Sequence, residues 1–252
     1  VSTVFIGGGT PSVLPASWIQ RLMNTLSEAF PIQKDAEISI EVNPGTIQSV
    51  DTFFRYREAG INRISIGLQS ARDEELRLLG RIHTYEQFEQ TWKWTEEAGF
   101  KNRNIDLMAS LPGQTIEQYR ESLSVVCEKS PEHISAYSLI MEEGTPFYER
   151  YRKLADEEEY QERDRQMYAL TRAVLEKAGY FRYEISNYAR PGKECKHNLV
   201  YWNRGDYLGL GIGAASFINN TRYKNSSSLQ EYIRLQGNAP YEEVQSLSVR
   251  EQ

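Results

Sequence analysis

Glycines, carboxylates and one amide stand where this sequence turns from apolar to polar, and these residues could do chemistry. Gly7-Gly8-Gly9 follows an apolar run and leads into Thr10-Pro11. Three glycines there let a ligand approach backbone N–H and C=O groups with no Cβ in the way. Glu41 lies near the end of residues 37–42 (EISIEV), Gln69 follows residues 63–68 (RISIGL), and Asp106 interrupts residues 104–109 (NIDLMA). Together these groups could hold an amine, a ribose and an adenine edge in a cleft with few, placed polar groups. Singly, each has an ordinary explanation: a tight turn for the glycines, a helix cap or ion pair for either carboxylate. The set is worth more than its members, because the ordinary explanation must be made separately for each.

Their positions depend on a regular alternation of strands and helices. Strands are expected at residues 3–6, 37–42, 63–68, 104–109 and 133–139. Helices are expected at 15–30, 48–59, 72–79, 85–98, 115–128, 148–153 and 156–178. In the first of these, Trp18, Leu22 and Leu26 fall at helical spacing. Gly60, Gly99 and Gly179 read as helix stops feeding strands. Five short strands separated by helices imply parallel pairing with right-handed crossovers. A barrel and a doubly wound sheet both fit; no GxGxxG follows a strand and no P-loop is present, which favours a barrel or partial barrel. Its active face would lie at the strands' C-terminal ends, where Gly7–Gly9, Glu41, Gln69, Asp106 and the segment Ala136-Tyr137-Ser138 would meet. After Tyr180 the texture changes: residues 183–188 (YEISNY) and 197–202 (HNLVYW) read as strands, and 207–216 is glycine-rich and apolar.

Composition removes other classes. The 252 residues carry 29 Lys+Arg against 35 Asp+Glu, a net charge of −6, and a nucleic-acid scaffold needs a basic face. No apolar run approaches the roughly 18 residues of a membrane helix. Two cysteines make no disulfide framework, so a reducing cytoplasm is the simplest home. A hydrolase or isomerase using Glu41 and Asp106 remains conceivable, but no Ser/His/Asp order, HExxH or paired zinc ligands are present.

The runs GGGTPS, EVNP, SIGLQS, LGRIHT and NIDLMASLPGQT, in this order and spacing, resemble the radical S-adenosylmethionine superfamily. Within it the chain looks like the oxygen-independent coproporphyrinogen III oxidase group, from Val1 to about Phe217. The resemblance implies an α/β fold: a partial (β/α) barrel over residues 1–180, then a small, mainly antiparallel α+β region over 181–252. It also implies S-adenosyl-L-methionine and a [4Fe-4S] cluster on a CxxxCxxC loop. Cys127 and Cys195 cannot supply that loop. The metal ligands, and the first of the family's six barrel strands, are therefore expected ahead of Val1.

Carried over residue by residue, Gly8, Gly9 and Thr10 match the loop that contacts the methionine amino and carboxylate groups. Glu41 matches the residue holding the cofactor's polar end. Gln69, Arg81 and Asp106 match further cofactor contacts, and Ser138 a position near the adenine. One branch of the group decarboxylates propionates of coproporphyrinogen III; another resembles it but binds haem and delivers it, which implies a haem-acceptor protein. The HNLVYW run looks like the haem-delivering branch. There His197 would be the axial ligand, with Tyr201 and Trp202 as walls. Taken alone, HNLVYW also fits a packed strand with a satisfied histidine. Relatives often carry a histidine where this chain has Ala215.

Overall fold

Alternate residues of the central strands differ in kind, and successive strand side chains project to opposite faces. Ile38, Ile40 and Val42 alternate with Glu37, Ser39 and Glu41; Ile64 and Ile66 alternate with Arg63, Ser65 and Gly67. A parallel sheet is ordinarily apolar on both faces. Here one face is apolar and the other is a polar surface built from five strands.

The computed structural model describes residues 1–238 and 240–247. By internal contacts it divides into two units, Val1–Glu194 and Cys195–Gln252. In the first unit β1 (Thr3–Ile6), β2 (Glu37–Val42), β3 (Arg63–Gln69), β4 (Arg103–Ala109) and β5 (His133–Ser138) lie side by side in chain order, all parallel. The crossovers carry α1 (Ala16–Ala29), α2 (Asp51–Glu58), α3 (Asp73–Leu78), α4 (Tyr85–Glu97) and α5 (Ile116–Lys129); α6 (Pro146–Tyr151) and α7 (Glu158–Lys177) follow β5. Strand order that never reverses, with right-handed crossovers, places the helices on one side of the sheet. This is the winding of a barrel and rules out the doubly wound alternative. Closure between the outer strands is not seen among the described residues.

On the helix side Ile40, Ile64, Ile66, Ile105, Leu107 and Ile134 join Phe53, Tyr56, Phe88, Tyr119, Leu123, Met167 and Leu175 in one core. The register aligns them: Ile40 beside Ile64, Ile66 beside Ile105, Leu107 beside Ala136. The buried stripe of α1 is Ile19 and Met23 with Leu26 against the core. Trp18 is 62% exposed and Leu22 39%, which corrects the stripe expected from Trp18 and Leu22. One residue is about 100° of helix rotation, enough to turn Trp18 from the core to solvent.

The strand expected at 183–188 is a hairpin. β6 (Phe181–Arg182) and β7 (Asn187–Ala189) pair with each other, and β7 pairs antiparallel with β5. The sheet thus runs past residue 180, where sequence texture put the division, and the first unit ends at Glu194.

The second unit contains α8 (Lys196–Trp202), β8 (Ala215–Ile218), β9 (Thr221–Lys224), α9 (Leu229–Arg234) and β10 (Glu242–Ser246). Its three strands form an antiparallel sheet in the order β10-β9-β8. The strand expected at 197–202 is therefore corrected to a helix. A short apolar run carries no periodicity that separates strand from helix; the His197–Tyr201 contact at i, i+4 is a helical one. Residues 248–252 of the expected C-terminal region lie outside the described residues.

Candidate functional site

The centre of the sheet's polar face is a hydrogen-bonded network. Register sets Glu41 beside Ser65, Ser65 beside Asn104, Gly67 beside Asp106, and Asp106 beside Ser135. The Asn104 amide donates to Asp106 Oδ1 at 2.7 Å and to Ser65 Oγ at 2.7 Å. Ser65 Oγ lies 3.2 Å from Asp106 Oδ2. His133, fully buried, holds Asn104 Oδ1 through Nδ1 at 2.6 Å and meets the Tyr183 hydroxyl through Nε2 at 2.7 Å. The network therefore turns the Asn104 amide group toward the Asp106 carboxylate.

At the C-terminal end of β1 the chain turns through Gly8 (φ +79) and Gly9 (φ +59), and nothing lies within 4 Å of where a Cβ of either would stand. These are left-handed conformations that glycine adopts without strain, and they leave an open backbone cradle. Gly8 N–H donates to Glu41 Oε2 at 3.1 Å. A Cβ on Gly7 would meet Phe5 at 2.6 Å and the Glu41 carboxyl carbon at 3.0 Å, so the first glycine makes room for the glutamate. Thr10 begins the 3-10 turn Pro11–Val13, and its side chain forms no cap hydrogen bond.

Gln69 reaches the same face by a device that alternation does not foresee. The β3–β4 register slips between Gly67 and Gln69, and Gln69 has φ +68. A bulge re-aims the side chain that follows it. The Gln69 amide nitrogen lies 2.8 Å from where a Cβ of Gly67 would stand. Gly67 thus clears space on the polar face for the amide, next to Asp106.

Electrostatics tie the remaining groups together. Burial, then the charge of Asp106, raise the Glu41 carboxyl above its ordinary range, against the Gly8 hydrogen bond. Burial raises Asp106, while hydrogen bonds from Asn104, Ser135 and Ser65 and the charge of Arg63 work the other way. Burial lowers Arg81, and Asp106 opposes that shift. Glu41 and Arg81 therefore both sense the charge of Asp106. His83, two residues beyond Arg81, fixes this corner: Nδ1 is 3.2 Å from Asn43 Oδ1 and Nε2 3.3 Å from Leu68 O.

Of the residues singled out in the sequence, Gly8, Gly9, Glu41, Gln69, Arg81 and Asp106 come to one end of one face. Ser138 has the parity of Ile134 and Ala136, the apolar side, and pairs with Ala109 at the strand end. Its neighbour Tyr137 stands on the polar face instead. Burial, then the charge of Asp106, push the Tyr137 hydroxyl up to about 12. Sequence reasoning placed Tyr137 at this face without a role of its own, and passed over Ser65 and Asn104. The available signal was period-two polar residues within strands that a parallel sheet should bury.

Two carboxylates, a guanidinium and exposed main-chain N–H groups around a cradle without Cβ atoms suit a zwitterionic amino acid joined to a ribose. One carboxylate can take an ammonium, Arg81 can take a carboxylate, and the other acid can accept from ribose hydroxyls. The residues fit S-adenosyl-L-methionine. No group of three or more His, Cys, Asp or Glu able to hold a metal occurs among the described residues.

In the second unit the His197 Nε2 lies 2.7 Å from the Tyr201 hydroxyl. Their rings meet edge-on at 5.0 Å, and Tyr201 meets Tyr207 at 4.5 Å. Trp202 is 53% exposed. The glycine-rich segment after Tyr207 presents Leu208, Leu210 and Ile212 to solvent. An imidazole beside exposed aromatic and aliphatic surface fits a planar apolar ligand such as haem.

The sequence profile of the radical SAM superfamily matches residues 1–126. The chain is 43% identical over 214 residues to the heme chaperone HemW of Escherichia coli (strain K12), covering 85% of this chain and 55% of that protein. It is 36% identical to the heme chaperone HemW of Bacillus subtilis (strain 168), covering 100% of this chain and 67% of that protein. Among solved structures, coproporphyrinogen III oxidase (HemN) from Escherichia coli, a radical SAM enzyme, matches with a TM-score of 0.82 at 30% identity, over 98% of this chain and 60% of that one. The chain thus spans 55% and 67% of the length of these two curated relatives.

Proposed function

The chain belongs to the radical SAM superfamily, and from that premise we propose that it is the greater part of a haem chaperone that binds S-adenosyl-L-methionine and haem. The observation that carries the first half is the meeting of the glycine cradle, Glu41, Arg81 and Asp106 at one end of the polar face. In this reading Gly8, Gly9 and Thr10 frame the amino-acid end of the cofactor through main-chain groups. Glu41 takes the ammonium and Arg81 the carboxylate. Asp106, oriented by Asn104 and Ser65, takes the ribose, with Gln69 beside it. Ser138, which the resemblance matches to a position near the adenine, faces the apolar side and would reach it only past the end of β5. When bound with its cluster, S-adenosyl-L-methionine supplies one-electron chemistry; this chain's residues only bind and orient it. The [4Fe-4S] cluster belongs to the whole protein, because two cysteines cannot supply ligands that are mostly thiolates.

The haem half rests on α8. His197 is the axial ligand, and Tyr201 and Trp202 are flanking walls. Haem ligation through Nε2 would replace the Tyr201 hydrogen bond. The relatives named heme chaperone support this reading, and the acceptor would be another protein. No helix is long and apolar enough to cross a membrane among the described residues, and we place the protein in the cytoplasm. Haem titration of the full-length protein tests the reading: wild type should give a visible absorption change that His197→Ala loses. No change in wild type removes the haem claim.

The likeness to coproporphyrinogen III oxidase favours a second reading, a coproporphyrinogen III dehydrogenase of porphyrin biosynthesis. Decarboxylation of coproporphyrinogen by the cluster-loaded full-length protein would support it; absence of turnover with intact haem binding leaves the chaperone.

A further inference from the structure

Gln69 and Arg81 lie on different segments, yet one buried carboxylate holds both segments. Glu75, in α3, is 7% exposed. Its Oε2 accepts from Ser70 Oγ at 2.6 Å and from the Gln114 amide at 2.9 Å. Ser70 is fully buried, directly after Gln69, and its Oγ also accepts from Arg72 N–H at 3.0 Å. Gln114 comes from the LPGQT run beyond β4 and closes its own loop by accepting from Leu111 N–H at 3.3 Å. Glu75 Oε1 has no hydrogen-bond partner among the described residues. A buried carboxylate left half-satisfied is costly, so the bonds at Oε2 must hold something that matters.

They hold two unusual strand exits. Gln69 (φ +68) and Ser110 (φ +62) are both non-glycine residues in the left-handed region, each just beyond its strand's apolar run. Such a conformation is strained and persists only where its surroundings fix it. Ser70 N–H turns back to Leu68 O at 2.9 Å, which sets the Gln69 backbone. At the other end of α3, Arg81 N–H donates to Leu76 O at 2.9 Å. The position of α3 therefore decides where the Arg81 chain begins.

We propose that Glu75, with Ser70 and Gln114, is a positioning residue for the cofactor site. It locks the left-handed turn that aims Gln69 and anchors the helix that delivers Arg81. The proposal rests on reading that site as one for S-adenosyl-L-methionine. Glu75 does not touch the ligand; it acts through Gln69 and Arg81.

The test is equilibrium binding of S-adenosyl-L-methionine to the full-length, cluster-loaded protein, together with hydrogen exchange of the cofactor-free protein. Glu75→Leu keeps the volume and removes both acceptor bonds; its affinity should fall about tenfold or more. Glu75→Gln, whose carbonyl oxygen can accept both bonds, should lose no more than about threefold. In a Gln69→Ala background the loss from Glu75→Leu should shrink, because coupled residues are not additive. Glu121→Gln, at the surface ion pair with Arg72, should bind as wild type. Without cofactor, Glu75→Leu should speed exchange at the Ser70, Arg72 and Arg81 amides and leave α5 protected. If Glu75→Leu does not fold, Ser70→Ala and Gln114→Leu each remove one of the two bonds and should together give the same pattern. Full affinity in these variants while Gln69→Ala weakens binding would overturn the proposal. So would strict additivity with Gln69→Ala, or unchanged exchange at those amides. A wild type that binds no cofactor would instead overturn the reading beneath it, and the exchange result would still judge the lock.

Discussion

Gly67→Ala puts the smallest possible side chain on the polar face. The added Cβ would stand 2.8 Å from the Gln69 amide nitrogen, with its next neighbours, Gln69 Cδ and Val42 O, at 3.9 Å. Only the flexible amide must move. Gly67 has an ordinary strand backbone, so alanine adds no strain there and trims the freedom of the unfolded chain by about 0.4–1 kcal/mol. That gain offsets much of the cost of displacing the amide, and global stability should stay within about 1 kcal/mol of wild type. The ligand, by contrast, loses one polar contact worth about 1–1.5 kcal/mol, or roughly tenfold in affinity. Calorimetric titration with S-adenosyl-L-methionine and thermal unfolding of the same cluster-loaded samples measure the two sides. Gln69→Ala should lose a similar factor, and the double variant little more, because both substitutions remove one contact. Unchanged affinity in Gly67→Ala, or an affinity loss matched by an unfolding shift of several kcal/mol, would refute the placement of Gln69 in the site.

Glu41→Gln should bind S-adenosyl-L-methionine at least about tenfold more weakly, yet unfold at the same or higher temperature. It relieves a buried charge facing Asp106, and a clear fall in melting temperature would contradict this. His133 is held well below its ordinary pKa, first by burial and then by the charge of Arg63. The native state keeps it neutral where the unfolded state takes a proton. Its stabilising contribution is thus whole above the unfolded value of about 6.5 and is lost as pH falls below it, by up to about 1.4 kcal/mol per unit. Denaturant titration should therefore show wild type's advantage over His133→Gln constant above pH 7 and shrinking toward pH 5; a constant difference throughout would refute it. The raised Glu41 and Asp106 act in the opposite sense, losing stability as pH rises, and cancel in that comparison. Tyr201→Phe removes the hydroxyl bonded to His197 Nε2 and should tighten haem binding about fivefold, as one hydrogen bond of about 1 kcal/mol no longer competes. Weaker binding in this variant would mean the hydroxyl helps hold haem.

The sequence by itself determined the parts and their order. Runs such as RISIGL and NIDLMA alternate apolar with polar or small residues as strands do, and Gly60, Gly99 and Gly179 stop the helices before them at φ +89, +78 and +85. Side-by-side parallel strands then had to bring Gly8, Glu41 and Asp106 near one another, because each lies on a parallel strand or just past its C-terminal end. What neighbours do across the sheet is not written along the chain. The side of the sheet that Ser138 and Tyr137 face depends on register. The aim of Gln69 depends on a bulge one residue long. The turn of α1 that carries Trp18 to solvent depends on what packs beneath it. HNLVYW had to be seen in three dimensions, since four consecutive apolar and aromatic residues satisfy either period, and only the contact of His197 with Tyr201 one helical turn on tells which was taken. Local propensity falls off within a few residues, whereas the site is made of distances between segments, and only packing sets those.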